Sequence, residues 1–157
     1  MLARTENIVV VAENWLAQFE HALTGRDEVL LRTLFHPQSH WRDVLALTWR
    51  IVTVNGADAI LREMRMPGDR GRPVGFKIAP GRAAPRCVTR AGTDCIEAIF
   101  TFETPEGRGS GVLRLTPDAN HGKTPKAWTL LTALDEIKGH EERVGGARSE
   151  GRENSQE

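Results

Sequence analysis

The apolar residues in the first part of the chain follow helical spacing. Over residues 5–23 they recur at steps of three and four, which places them on one face of a helix. A second, shorter helix is predicted to begin after the cap residue Asp27 and to end before Pro37, because proline keeps the preceding residue out of helical space. A third helix is predicted over residues 57–66, where apolar positions again share one side.

The other apolar patterns are those of strands. Residues 40–54 are rich in β-branched and aromatic side chains and predict a strand that ends at the turn signal Asn55-Gly56. Residues 70–92 contain many Gly, Pro and Arg residues and predict one or two irregular strands. Three more strands are predicted over residues 95–104, 111–116 and 126–136.

This order of elements predicts an α+β fold. The helices would gather on one side of a curved, mostly antiparallel sheet and enclose a conical pocket, as in a cystatin-like α+β roll. Residues 1–138 are predicted to form one pocket domain. Residues 139–157 are charged, rich in Gly and almost without apolar side chains, so they predict a disordered polar tail.

Charge and composition exclude several classes of partner. Lys+Arg and Asp+Glu both number 21, and without a basic excess we expect neither a nucleic-acid nor an anionic-membrane partner. No apolar run is long enough to span a membrane, and nothing at the N-terminus resembles a signal peptide, so a cytoplasmic location is expected. Cys87 and Cys95 fit two reduced thiols better than a disulfide across their short loop, although the sequence permits both.

Three segments together resemble one branch of the nuclear-transport-factor-2-like superfamily, which also contains the SnoaL-like polyketide cyclases. They are LFHPQSHWRDVLALTWRIVTVNGADAI, FTFETPEGRGSG and AWTLLTALDEIKGHEE, and the resemblance covers about residues 12–142. The branch is the domain that precedes the flavin-binding region of flavin-containing monooxygenase-like proteins. The Gly-rich residues 107–111 join two predicted strands, whereas a dinucleotide fingerprint lies between a strand and a helix. We therefore expect no cofactor.

The resemblance singles out Asp43. It occupies the position at which the ketosteroid isomerases of this superfamily carry their general base, and a carboxylate at the mouth of an apolar cone suits proton transfer. Alternatively, Asp43 pairs with Arg42 or another arginine and ends the strand. The tyrosine of those isomerases corresponds to Phe19, and the chain contains no tyrosine, so steroid-type enolisation is not expected. His40 is a second catalytic candidate, or else a surface histidine.

Aromatic side chains are expected to line the pocket. If one strand runs through Trp41, Asp43 and Trp49, their side chains point to the same face of the sheet, because alternate residues share a face. Aromatic walls of this kind suit a flat or polycyclic ligand. Ordinary core packing or a dimer seam would explain the same residues. The full set of candidate substrate-binding residues is Trp15, Phe19, Trp41, Trp49, Phe100, Phe102, Arg114, Trp128 and Thr132. No metal site is predicted, because Pro37 prevents a helical pairing of His36 with His40.

The sequence thus predicts a homodimeric, cofactor-independent protein that binds a small hydrophobic organic ligand. The expected chemistry is acid–base: isomerisation, cyclisation, dehydration or epoxide opening of a secondary-metabolite-like substrate. The alternative is a non-catalytic accessory domain that supplies dimerisation or substrate binding to a flavin monooxygenase partner.

Overall fold

The structure, a computed structural model, describes residues 2–65, 72–117 and 124–140. Within these ranges lie three helices: α1 (Leu2–Thr24), α2 (Glu28–Thr33) and α3 (Ala57–Arg65). The strands are β1 (Phe35–Val44), β2 (Ile51–Asn55), β3 (Val74–Ile78), β4 (Arg86–Arg90), β5 (Thr93–Glu103), β6 (Gly107–Pro117) and β7 (Pro125–Ile137). The predicted polar tail lies, from residue 141 onward, outside the described residues.

The seven strands of the described ranges form one mixed sheet. Six of them follow the order β2-β1-β7-β6-β5-β3, and β4 pairs with β5 outside that path. Only the pairing of β1 with β7 is parallel among the described strands, and the other strand pairs are antiparallel. The α+β prediction is confirmed.

The helices pack on one face of this sheet, which we call the inner face. Alternation along β5 sends Ala98, Phe100 and Phe102 to the inner face, where all three are buried. Ring contacts then run from α1 across the sheet, with centroids of Phe19 and Phe76 5.2 Å apart and those of Phe76 and Phe102 5.0 Å apart. Aromatic packing therefore fills much of the interior.

Two glycines of β6 make room for these rings. A Cβ atom at Gly109 would collide with the ring of Phe102, and one at Gly111 would collide with the ring of Phe100 and the carbonyl oxygen of Leu131. The phenyl groups therefore lie closer to the β6 backbone than any other residue at these positions would allow.

The segment around β1 differs from the sequence prediction. Residues 40–54 were expected to form one strand, but β1 ends at Val44, a loop spans residues 45–50, and β2 begins at Ile51. At its other end β1 begins at Phe35, inside the predicted second helix. Pro37 is part of β1. A proline is tolerated at this position because a register shift between Phe35 and His40 interrupts the pairing with β7.

Candidate functional site

Asp43 lies at the end of β1 on the inner face and is completely buried. Its carboxylate accepts hydrogen bonds from four donors. The backbone N–H of Leu47 lies 3.1 Å from both oxygens, and the N–H and hydroxyl of Thr48 lie 2.8 and 2.7 Å from Oδ2. The hydroxyl of Thr132, on β7, donates to Oδ1 at 2.6 Å. The hydroxyl of Thr132 in turn accepts from the Trp41 indole N–H at 2.9 Å.

These bonds determine what Asp43 can do in this arrangement. An ionised carboxylate has about four lone-pair sites, and the four donors occupy them. The arginine pairing considered from the sequence does not describe this site: the four donors come from Leu47, Thr48 and Thr132, and Arg42 donates instead to the Thr53 hydroxyl at 3.1 Å. A general-base role for Asp43 would require at least one donor to leave, and three of the four belong to the loop at residues 45–50.

That loop has an unusual backbone. Leu45 and Trp49 have φ values of 62° and 58°, in the left-handed region that bulky residues rarely adopt. Both side chains are 40% exposed, whereas Ala46 and Leu47 between them are buried. The Leu45 N–H closes the loop by donating to the Arg50 carbonyl at 3.0 Å. The bonds to Asp43 therefore hold a strained segment in place.

A pocket of about 300 Å³ lies between α1, α2, α3 and this loop. The exposure of its lining residues divides the pocket into two parts. Its floor is apolar and mostly buried: Ala22, Leu23, Leu31, Leu47 and Met64. Its rim is charged and exposed: Arg26, Asp27, Glu28, Arg65 and Arg72. This combination of an apolar floor with a few polar groups at the entrance is typical of small-molecule sites.

Both carboxylates of the rim already have donors. Asp27 caps α2 by accepting the Leu30 N–H at 3.0 Å, and Glu28 pairs with Arg65. The rim thus combines three guanidinium groups with two engaged carboxylates.

Comparison with known proteins identifies the fold. No family model matches the chain, and no curated protein matches it. Among solved structures, a nuclear transport factor 2-like superfamily protein of Salmonella enterica is 12% identical with a TM-score of 0.56, over 93% of this chain and 99% of the other. Nuclear transport factor 2 of Cryptosporidium parvum is 14% identical with a TM-score of 0.52, over 84% and 95%. The chain has the nuclear-transport-factor-2-like fold.

The same fold occurs in an enzyme among the similar structures. A hexachlorocyclohexane dehydrochlorinase of Novosphingobium barchaimii is 12% identical with a TM-score of 0.53, over 78% of this chain and 83% of the other. Because a nuclear transport factor and a dehydrochlorinase share the nuclear-transport-factor-2-like fold, the fold alone does not decide the function of this chain.

Most predicted pocket residues are part of the packed interior of this nuclear-transport-factor-2-like domain. Trp15, Phe19, Trp41, Phe100 and Phe102 are at most 4% exposed, and none of the five is among the lining residues of the 300 Å³ pocket. Rings of Trp15 and Phe19 stack with centroids 4.9 Å apart. The core alternative raised from the sequence therefore describes their surroundings in this structure.

Three other candidates lie outside the fully buried interior. Trp49 was expected to share a strand face with Asp43, but it lies in the loop with its side chain partly in solvent, because β1 ends before it. His40 is exposed and contacts the Asn55 side-chain oxygen at 2.7 Å. Trp128 is half-buried, next to a register shift between β6 and β7.

Arg114 belongs to an ion-pair cluster on the opposite, outer face of the sheet. Its Nε donates to Glu97 at 2.9 Å, and Arg90 and Arg86 donate to the same carboxylate. Hydrogen bonds from Arg90, and further ones from Arg114 and Arg86, lower the pKa of Glu97 to about 2 against the opposing effect of burial. Arg114 therefore has a partner outside the pocket.

The sequence missed Leu31, Leu47 and Met64 as pocket residues. Leu31 and Met64 fit ordinary helical core positions, and Leu47 was assigned to a strand, so no chemical signal marked any of them.

Cys87 is exposed and Cys95 buried, and both are free thiols. Among the described residues, no group of three His, Cys, Asp or Glu side chains could hold a metal ion. No helix in the described ranges is long and apolar enough to cross a membrane.

Proposed function

We propose that this protein binds a small amphipathic organic molecule in the pocket between its three helices. The supporting observation is the pocket itself: about 300 Å³ with a buried apolar floor beneath a charged rim, at the lower end of the size range of ligand sites. An apolar ligand body would contact Leu31 and Met64. An anionic head group is favoured over a cationic one, because the rim carries three guanidinium groups against two carboxylates.

Binding is the function that the geometry supports best, and acid–base turnover is a further hypothesis. The predicted isomerisation, cyclisation, dehydration or epoxide opening needs a carboxylate that can take a proton from the substrate. Asp43 is the first of the two candidates, with His40 the second, and the lone pairs of Asp43 are occupied while the loop keeps its present conformation. The link to a flavin monooxygenase rests on the sequence resemblance and stays a prediction.

The ligand site can be tested with 1-anilinonaphthalene-8-sulfonate, an aromatic anion whose fluorescence rises in apolar surroundings. At about 0.3 kcal/mol per non-hydrogen atom, a dissociation constant on the order of tens of micromolar is expected. Met64→Glu places a carboxylate in the pocket floor and should weaken binding about ten-fold or more. Fluorescence titration of folded protein measures both constants.

Gln38→Glu is the matched control for the change in charge. Gln38 is exposed on β1 and is not among the lining residues of the pocket, so this variant should bind the probe like the unmodified protein. Equal weakening by both variants, or no binding to the folded unmodified protein, would rule out the pocket as the site.

The outer face of the sheet is the surface at which we expect a second copy to pack. In register across its centre, Ile99 of β5 lies beside Val112 of β6 and Val112 beside Leu131 of β7, and all three are half-buried. Ala133 and Val44 extend this apolar patch towards β2. A patch of aliphatic side chains within a polar surround is typical of protein–protein interfaces.

Light scattering should give twice the chain mass of 17.4 kDa. Leu131→Arg should give a monomer, because a buried guanidinium without a partner opposes association. Val29→Arg, at a 78% exposed position on α2, should leave the dimer intact. A mass near 17.4 kDa for the unmodified protein at micromolar concentration would refute the dimer.

A further inference from the structure

Leu47 contacts both the ligand pocket and the buried carboxylate of Asp43. Its side chain belongs to the pocket floor and is 2% exposed, while its backbone N–H contacts both oxygens of Asp43. Asp43 and Thr132 are completely buried and are not among the lining residues of the pocket. Leu47 thus contacts both an apolar cavity and a buried polar pair that does not line it.

Apart from hydrogen bonds within the loop, the ion pair of Arg50 with Glu63 and the burial of Ala46 and Leu47, the loop at residues 45–50 is held by its bonds to Asp43. Three donors from the loop converge on Asp43: the N–H of Leu47 and the N–H and hydroxyl of Thr48. The loop also keeps Leu45 and Trp49 in the left-handed region with their apolar side chains partly in solvent. Releasing the bonds to Asp43 would relieve that backbone strain, so a second loop conformation is within reach.

We propose that residues 45–50 form a gate, and that opening it adds a polar subsite made by Asp43 and Thr132 to the ligand pocket. This inference rests on the proposed ligand binding. Thr132 stays bonded to Oδ1, because it lies on β7 and not on the loop. Oδ2 loses the donors of Thr48 and becomes the acceptor for the ligand.

The chemistry of the subsite indicates the class of ligand. The donors that Asp43 accepts now are neutral N–H and O–H groups, and the arginines of the rim oppose the entry of a cation. A neutral hydroxyl group on an apolar body satisfies both conditions. The subsite therefore favours an aromatic or alicyclic alcohol or phenol, with the hydroxyl directed towards Oδ2 of Asp43.

Two probes of similar shape separate this subsite from the pocket. 2-Naphthol carries a hydroxyl donor, and 2-methoxynaphthalene carries the same ring system without one. In the unmodified protein, 2-naphthol should speed amide hydrogen exchange at Leu47 and Thr48, because its hydroxyl competes with their N–H groups for Asp43. 2-Methoxynaphthalene should leave those two exchange rates unchanged, and both can be followed by NMR.

A pair of truncations tests the position of the gate. In Leu47→Ala, the affinity for 2-naphthol divided by the affinity for 2-methoxynaphthalene should be about ten-fold higher than in the unmodified protein. A ten-fold change in affinity corresponds to about one hydrogen bond. Leu23→Ala enlarges the same pocket at a residue without a bond to Asp43, so the ratio should stay as in the unmodified protein. Calorimetric titration of both probes against the unmodified protein and the two variants gives the six dissociation constants, and thermal melts check that each variant folds.

The outcomes distinguish the gate from the pocket. If both probes bind the unmodified protein alike, with no change in exchange at Leu47 and Thr48 and no change in the ratio for Leu47→Ala, the gate is refuted and the pocket stands. If neither probe binds and 1-anilinonaphthalene-8-sulfonate does not bind either, the proposed function itself fails. Should Leu47→Ala not fold, the exchange measurement on the unmodified protein decides alone.

Discussion

Asp43→Ala is expected to lower the free energy of unfolding by about 3–5 kcal/mol, because it leaves buried donors without an acceptor. The N–H groups of Leu47 and Thr48 and the hydroxyl of Thr132 would lose their partner, and Leu47 and Thr132 are buried while Thr48 is half-buried. The strained loop would lose its anchor as well. For a chain of this size the melting temperature should fall by about 10 °C.

Urea denaturation followed by circular dichroism measures this loss. Asp135→Ala is the matched control, because Asp135 also accepts one hydroxyl, that of Ser110 at 3.0 Å, but is exposed. Asp135→Ala should lower the free energy of unfolding by less than about 1 kcal/mol. If Asp43→Ala proves no more destabilising than Asp135→Ala, then Asp43 does not anchor the loop, and the carboxylate is available for other chemistry.

Gly111→Ala is expected to destabilise the protein by about 3 kcal/mol or more, although it adds one methyl group. That methyl would collide with the Leu131 carbonyl oxygen on β7 and with the ring of Phe100. A backbone oxygen cannot turn aside as a flexible side chain can, so the strands themselves would have to separate. The variant should unfold at a much lower urea concentration or fail to fold.

Ser110→Ala, one position earlier on β6, provides the comparison. Ser110 faces the other side of the sheet, where its hydroxyl donates to Asp135. Its loss should cost less than about 1 kcal/mol. Equal stability of the two variants in urea denaturation would show that the phenyl rings do not pack against β6 as described.

The elements with regular apolar patterns could be predicted from the sequence. The predicted third helix over residues 57–66 matches α3 to within one residue, and the alternation in residues 95–104 predicted the inner face of β5. These predictions succeeded because the period of the side chains follows directly from the geometry of a helix or strand.

The loop at residues 45–50 could not be predicted in this way. Leu45 and Trp49 are bulky residues that give no turn signal, yet both adopt left-handed backbone angles. What keeps them there is Asp43 together with Thr132, which lies 89 residues further along the chain. A tertiary network therefore overrides the local preference.

The pocket between the three helices could not be predicted for a related reason. Its lining comes from the end of α1, from α2, from α3 and from the loop, and only packing brings these segments together. The sequence placed the pocket among Trp15, Phe19 and Phe100, which are large enough to fill the interior by themselves. Aromatic residues indicate an apolar interior, whereas the pocket between the helices lies where smaller side chains and helix ends meet.

Methyl NMR of the unmodified protein with 1-anilinonaphthalene-8-sulfonate tests the central claim most directly. If the pocket between the helices is the ligand site, the methyl signals of Leu31, Leu47 and Met64 should shift together as the probe is added. The signals of Val112 and Leu131 on the outer face should stay unchanged. Shifts confined to Val112 and Leu131, with the three pocket residues unaffected, would contradict the proposed function.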